Sequence, residues 1–438
     1  MKILIKNVHV LTMDIEKSEY PKGYVLIEDR DISSVGSMEN LPEKVEDIEV
    51  IDGHQAIAMP GMINTHTHVG MIPFRSLGDD YPDRLRRFLF PLEKDCMTAE
   101  LAYHSGKYAI AEMQLAGVTT FMDMYYFEDA IAQATEEMGS RAILGETVID
   151  FPTCDAEAAH GGLNYARTFI PKWLNHELIT PAIAPHAPNT NSPEALQEAV
   201  QLSEMYQVPI TMHVSEMDYE QEYFQNTFGQ TPVEFLSSIG ALTKRFIAAH
   251  CIHLSDKDIE LLEEHKVSVA HCIGANTKSA KGVARVKDLL EKGIPVGLGT
   301  DGPSSGNTLD LFTQMKLFAN FHKTTLKDRG AFLASEIVEL ATIGGAKVLG
   351  LQDKVGSLEA GKKADIVLIE TQSVNMFPIF DPYAALVYSA NASNVQDVFI
   401  NGKRKIKNKQ LNENNLNTLR QNLFEQMENF TASAKDRL

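Results

Sequence analysis

From about residue 60 to 350, short apolar runs alternate with longer amphipathic stretches, a rhythm that predicts strands and helices taking turns along the chain. The strand runs are GMINTHTH (61–68), VTTFMDM (118–124), RAILGETVID (141–150), LITPAIAPHAP (178–188), VPITMHVSE (208–216), RFIAAHCIHL (245–254), VSVAHCIGAN (267–276) and PVGLGTDGP (295–303). Eight such runs, spaced widely enough for a helix to cross back over the sheet, predict a closed α/β barrel of the (β/α)8 type. Helices are expected over 98–117, 192–207 and 255–266, with Ser or Thr at the N-caps. The flanks, 1–58 and 355–408, carry short alternating strands and turn signals, predicting a small β-sandwich domain formed by both termini and leaving the barrel to 59–354. Residues 409–438 read as a polar helical tail.

Polar residues of chemical interest fall at the C-terminal ends of the strand runs, the end where barrel enzymes place their catalytic groups. His66-Thr67-His68 ends the first run, and the two-residue period of a strand sends both imidazoles to one face. A divalent metal needs several imidazole or carboxylate donors converging on one point, and this pair supplies two. Alone, an HxH pair is as readily incidental as metal-binding. His213 and Glu216 end the fifth run, His250 the sixth, and Asp301 the eighth within GTDG. A lone strand-end histidine or an Asp before Gly has an ordinary structural explanation, but their joint placement points to one site.

Composition narrows the partners. Hydrophobic residues make up 44% and charged residues 23% of the chain, with no apolar segment of membrane-spanning length. The opening MKILIKNVHVLTMD alternates apolar and polar residues and lacks the features of a signal peptide, so a cytoplasmic location is expected. A net charge of -19 argues against nucleic acid, and the RLRR run at Arg84 to Arg87 is too short to reverse it. Cys96, Cys154, Cys251 and Cys272 show no CxxC spacing, which points away from disulfides and cysteine zinc sites. A small-molecule substrate is the expectation.

With PGMINTHTH, HVSE, HCIHL and GTDG in this order at strand ends, the chain resembles the amidohydrolase superfamily over nearly its whole length. The likeness is to the branch of S-adenosylhomocysteine and 5′-methylthioadenosine deaminases and chlorohydrolase-like aminohydrolases. It implies a barrel with a β-sandwich and one divalent metal held by His66, His68, His213 and Asp301, with zinc first and iron or manganese also compatible with the donors. It further implies Glu216 as proton shuttle, His250 as the group orienting water, and Asp301 as both ligand and aligning group. Glu93 in FLFPLEKD matches the family's ribose-gripping glutamate, and His186 in APHAP its purine-contacting histidine. The implied reaction is hydrolytic deamination of an adenosine-like nucleoside (5′-methylthioadenosine, S-adenosylhomocysteine or adenosine), releasing ammonia and the inosine analogue. Barrels of this branch often self-associate, although no decisive interface signature is present.

Two stretches depart from the family pattern. Glu146 and Leu163 stand near positions where arginines for a homocysteine carboxylate are expected, leaving Arg75, Arg167 or a neighbouring subunit to supply a cation. The loop HCIGANTKSAKG keeps His271 and Asn276 but carries Cys272 and other changes that either repack the loop or reshape the pocket. Two other functions stay open at this point: an aminohydrolase or chlorohydrolase of another heterocycle (guanine, pterin, triazine), and a non-catalytic assembly or binding protein that keeps the barrel.

Overall fold

The computed structural model describes residues 2–41 and 48–437; residues 42–47 of the N-terminal strand-rich stretch, and the two end residues, lie outside the described residues. Eight strands, β1 to β8, span Met62–Thr67, Val118–Tyr125, Arg141–Val148, Ile179–Pro185, Ile210–Val214, Phe246–His250, Ser268–His271 and Val296–Leu298. They form one sheet in sequential order. The pairing is parallel, with Ala142 opposite Ile179 between β3 and β4 and Ile210 opposite Phe246 between β5 and β6. Every residue of β2, β3, β5, β6 and β7 is buried. That is why these runs read as continuously apolar: a parallel strand is covered on both faces.

The ring approaches closure between β8 and β1. Asp301 N–H donates to the His66 carbonyl at 3.0 Å, and Thr67 Oγ1–H donates to the Asp301 carbonyl at 3.1 Å. Gly299 lies on this seam; a Cβ there would stand 2.9 Å from Cys272 Sγ and 3.1 Å from His66, so the approach needs a residue without a side chain.

Each strand run matches a strand, but several strands stop short of their run. The run 208–216 becomes Ile210–Val214, and 295–303 becomes Val296–Leu298. The released residues leave the ladder and turn into the barrel mouth. Three residues past strand ends hold positive φ without being glycine, Ser215 at 51°, Cys251 at 49° and Asp301 at 58°, as does His250, the last residue of β6, at 71°. Such conformations cost on the order of 1–3 kcal/mol each and persist where the surroundings over-determine them. Helices follow where expected: Ala99–Leu115; Pro193–Tyr206, whose N-cap Ser192 accepts from Ala195; and Asp256–Glu264, with a capping box between Ser255 and Asp258.

The chain divides into two compact units. One comprises Thr65–Ile110, Phe121–Leu309 and Asn415–Leu438 and contains every strand-end residue singled out above. Its terminal helices, Leu416–Gln426 and Glu428–Lys435, bury Leu419, Leu423 and Phe430, whose ring meets Phe74 edge-on at 4.6 Å. The other comprises Met1–Asn64, Ala111–Thr120 and Asp310–Asn414. Within it a nine-stranded sheet joins both ends of the chain: Lys2–Leu11 pairs antiparallel with Glu19–Glu28, and Ile57–Pro60 with Ile366–Ile369. Its core gathers Ile3, Ile5, Val25, Ile27, Ile366, Leu368 and Phe399. No helix of the described residues is long and apolar enough to cross a membrane.

Candidate active site

His66 lies on β1, His68 one residue beyond its end, and His213 near the end of β5, so three imidazoles meet at the mouth. Their donor nitrogens all lie within 4.8 Å of one another. His213 Nε2 faces His66 Nε2 at 3.2 Å, and His68 Nε2 is 3.1 Å from Asp301 Oδ1, which is 3.9 Å from His66 Nε2. His68 Nδ1–H donates to the Met124 carbonyl at 2.5 Å, which turns Nε2 toward the cluster.

Burial is the main force on these groups. It holds His66 and His213 well below the ordinary imidazole value, as neutral donors, and neighbouring imidazoles push in the same direction. Burial also opposes charge on His68, yet the adjoining Asp301 overrides it and lifts His68 to about 9. Burial would raise Asp301, but His68, His250 and His66 together hold it well below the carboxylate range. An ionised carboxylate with two neutral imidazoles converging on it, and a third, His68, that gives up its proton when a cation binds, is a donor set for a divalent cation, and the residues present fit one.

Glu216 follows β5 by two residues and sits beside His250, the last residue of β6; Glu216 Oε1 is 3.7 Å from His250 Nε2. Burial favours the neutral acid, but His250 and Lys281 outweigh it and keep the Glu216 carboxylate below its ordinary value. His250 Nδ1 is 2.8 Å from Asn276 Oδ1, an acceptor, so Nδ1 carries a proton and Nε2 is the ring nitrogen turned toward Glu216.

His68, His213, Glu216, His250, Lys281 and Asp301 line one cavity of about 570 Å³, and Glu93 and His186 line it too. Glu93, on the helix Phe90–Cys96, is 8% exposed; burial lifts its carboxyl to about 7 against the pull of His68 and the Tyr125 hydroxyl. His186 stands just past β4, with Nδ1 3.1 Å from Thr190 Oγ1 and its ring 4.9 Å from that of His213. Burial pushes His186 down to about 4, so it is neutral near pH 7. Arg75 and Arg167 do not line this cavity, and Arg167 pairs with Glu198 at 2.5 Å. Glu146 is fully buried, its carboxyl raised well above the ordinary value by burial and by Asp155 and Glu128, and Leu163 is buried as well.

Sequence reasoning missed three contributors. Lys281 pairs with Glu216 Oε1. Asn276, in the HCIGANTKSAKG stretch, meets His250 Nδ1 through its Oδ1. Glu220 accepts the Ser215 and Glu216 backbone N–H groups, each at 2.9 Å, fixing the main chain where it leaves β5. The four-residue spacing of Glu220 from Glu216, at the start of the helix Asp218–Phe228, was the available signal for the last of these.

Three histidines and an aspartate at the mouth of an eight-stranded barrel define a metal-dependent barrel hydrolase. The comparisons narrow this class: the chain belongs to the amidohydrolase family, whose profile matches residues 57–405. A 5-methylthioadenosine/S-adenosylhomocysteine deaminase of Thermodesulfovibrio yellowstonii is 38% identical over 403 residues, covering 91% of this chain and 92% of its own. One of the same name from Thermoanaerobacter pseudethanolicus is 40% identical over 415 residues, covering 94% and 95%. Among solved structures, an adenosine deaminase from Xanthomonas campestris with bound zinc superposes with a TM-score of 0.95 at 29% identity, covering 98% of each chain.

Proposed function

We propose that the chain hydrolytically deaminates an adenosine-like nucleoside (5′-methylthioadenosine, S-adenosylhomocysteine or adenosine), releasing ammonia and the inosine analogue. The observation that carries this reading is that Glu93 and His186 open onto the same cavity as Glu216, His250 and Asp301, so ribose-binding and proton-transfer groups are within one ligand's reach. His66, His68, His213 and Asp301 would hold one divalent cation, zinc by preference, in keeping with the donor set and the zinc in the similar adenosine deaminase. Such a cation supplies Lewis acidity, making water a nucleophile at neutral pH.

The protein's own groups do the rest. Glu216, kept ionised, takes one proton of the attacking water and passes it to the ring nitrogen beside the amidine carbon; it then carries the remaining hydroxyl proton of the substrate's tetrahedral adduct to the amine, which leaves as ammonia as the ring carbonyl forms. His250 accepts through Nε2 and aligns the water, and Asp301 on the far side completes the alignment. Glu93 accepts from the ribose diol, for which its two oxygens suit, and the neutral His186 contacts the purine. In this reading residues 59–354 are the catalytic barrel, 1–58 with 355–408 the companion β-sandwich and 409–438 a helical tail. Cytoplasmic location and self-association are part of the same reading. Ammonia release by the metal-loaded protein, measured on adenosine, methylthioadenosine, S-adenosylhomocysteine, guanine and cytosine, tests it; turnover of a free base alone would reject a nucleoside substrate.

A further inference from the structure

Glu216 is flanked by two groups that the same stretch of chain controls. Lys281 Nζ donates to Glu216 Oε1, and His250, 3.7 Å from that oxygen, is oriented by Asn276 Oδ1. Asn276 also accepts the Lys281 backbone N–H at its own carbonyl, at 2.9 Å. Asn276, on the short helix Ile273–Lys278, therefore sets the water-facing imidazole and anchors the lysine that follows the helix. The Lys281 and Glu216 side chains are each only 18% exposed, and a buried ammonium is costly unless its geometry is satisfied.

The main chain at Glu216 does not need this lysine. Glu220 already holds the Ser215 and Glu216 N–H groups, so the backbone position is secured from the other side. What Lys281 adds is the direction of the carboxylate. With Oε1 taken by an ammonium, which has no lone pair to accept a proton, only Oε2 is left to carry one.

We propose that Lys281 is a positioning residue for deamination: it clamps Glu216 Oε1 and so presents Oε2 to the water and the substrate's ring nitrogen. This rests on the deaminase reading above. A carboxylate released from the clamp rotates about its terminal torsion, which is broad, and spends most of its time misaligned.

The test compares parent, Lys281→Met, Lys281→Arg and Lys281→Ala with added propylammonium, all metal-loaded. For Lys281→Met, kcat is expected to fall on the order of 10²-fold while KM for the nucleoside stays within about threefold. Metal content and Tm remain near the parent's. Lys281→Arg recovers most of the loss, and propylammonium restores kcat of Lys281→Ala saturably. A binding readout independent of turnover accompanies this: a nucleoside analogue with a tetrahedral, hydroxyl-bearing ring carbon binds Lys281→Met more weakly, while the inosine-type product binds it as it binds the parent. If Lys281→Met fails to fold, Lys281→Gln carries the same comparison. Lys281→Met turning over within about twofold of the parent overturns the assignment, as does a loss confined to KM or one that neither Arg nor the amine rescues. A parent that releases no ammonia from any nucleoside refutes the deaminase reading itself, and this assignment with it.

Discussion

Glu93 offers a test in which substrate recognition and stability respond to one side chain in opposite senses. Its carboxyl is 8% exposed and lifted to about 7, so near neutrality it is about half ionised inside the cavity. A hydrogen bond from a ribose hydroxyl to the ionised form contributes about 1.5–3 kcal/mol, and Glu93→Ala should therefore lower kcat/KM for a ribonucleoside about 10- to 150-fold. A 2′-deoxynucleoside, which already lacks one hydroxyl, should lose less, and a free base almost nothing. Because the ionised form binds better, parent kcat/KM for the ribonucleoside should climb as pH rises through about 7, and Glu93→Gln should flatten that limb. Stability runs the other way. The folded value lies above the ordinary 4.5, so the folded chain binds more protons between these values and loses stability as pH rises across them, by up to about 3 kcal/mol. Glu93→Gln escapes this loss, so its urea midpoint should overtake the parent's at pH 8 and converge with it near pH 5. Equal kinetic losses on ribonucleoside, deoxynucleoside and free base, with a stability gap that ignores pH, would make Glu93 a structural residue.

Purified parent should carry close to one equivalent of metal by elemental analysis, and His66→Ala or Asp301→Ala should lose it; retention by both would refute the ligand assignment. Glu216→Gln keeps shape but removes the proton acceptor, so turnover should drop by about 10²–10⁴-fold with metal still bound, and a near-normal rate would move the shuttle elsewhere. Asn276→Ala removes the acceptor that selects the His250 tautomer, and nitrogen-shift NMR should then show Nδ1 no longer exclusively protonated; an unchanged spectrum would mean that something else holds the ring.

The barrel was legible because each of its strands is covered on both faces and so leaves a continuous apolar run, whatever its neighbours do. The strand ends were less so. Ser215 and Asp301 stand past their strands with positive φ, His250 takes one at the last rung of β6, and no hydrophobic period reports these turns. That His66, His68, His213, Glu216, His250 and Asp301 belong to one site was legible from their joint placement at strand ends; the choice of His66, His68, His213 and Asp301 as the donor set came from the family resemblance alone. Lys281 meeting Glu216 had no such guide: 65 positions separate them, and their contact depends on the path of a loop rather than on a repeat. Asn276 and His250, 26 apart, are joined by the way the short helix Ile273–Lys278 is set against the end of β6, which no sequence period reports. The joining of both chain ends in one sheet was visible as alternating runs, but their strand order is a matter of non-local pairing.

The seam between β8 and β1 also sets a schedule for the cell. Thr67 and Asp301, whose bond helps close the ring, are 234 positions apart. At about 5–20 residues per second of synthesis, roughly 10–50 s pass between their emergence from the ribosome. A nascent chain that ends before Asp301 already contains all three histidines, and β2 to hold β1 from one side, but lacks the bonds that Asp301 makes to His66 and Thr67 across the seam. If the proposed donor set holds a cation, its carboxylate is the last donor to be made, and a truncated product ending before Asp301 should hold a divalent ion less tightly than the full chain.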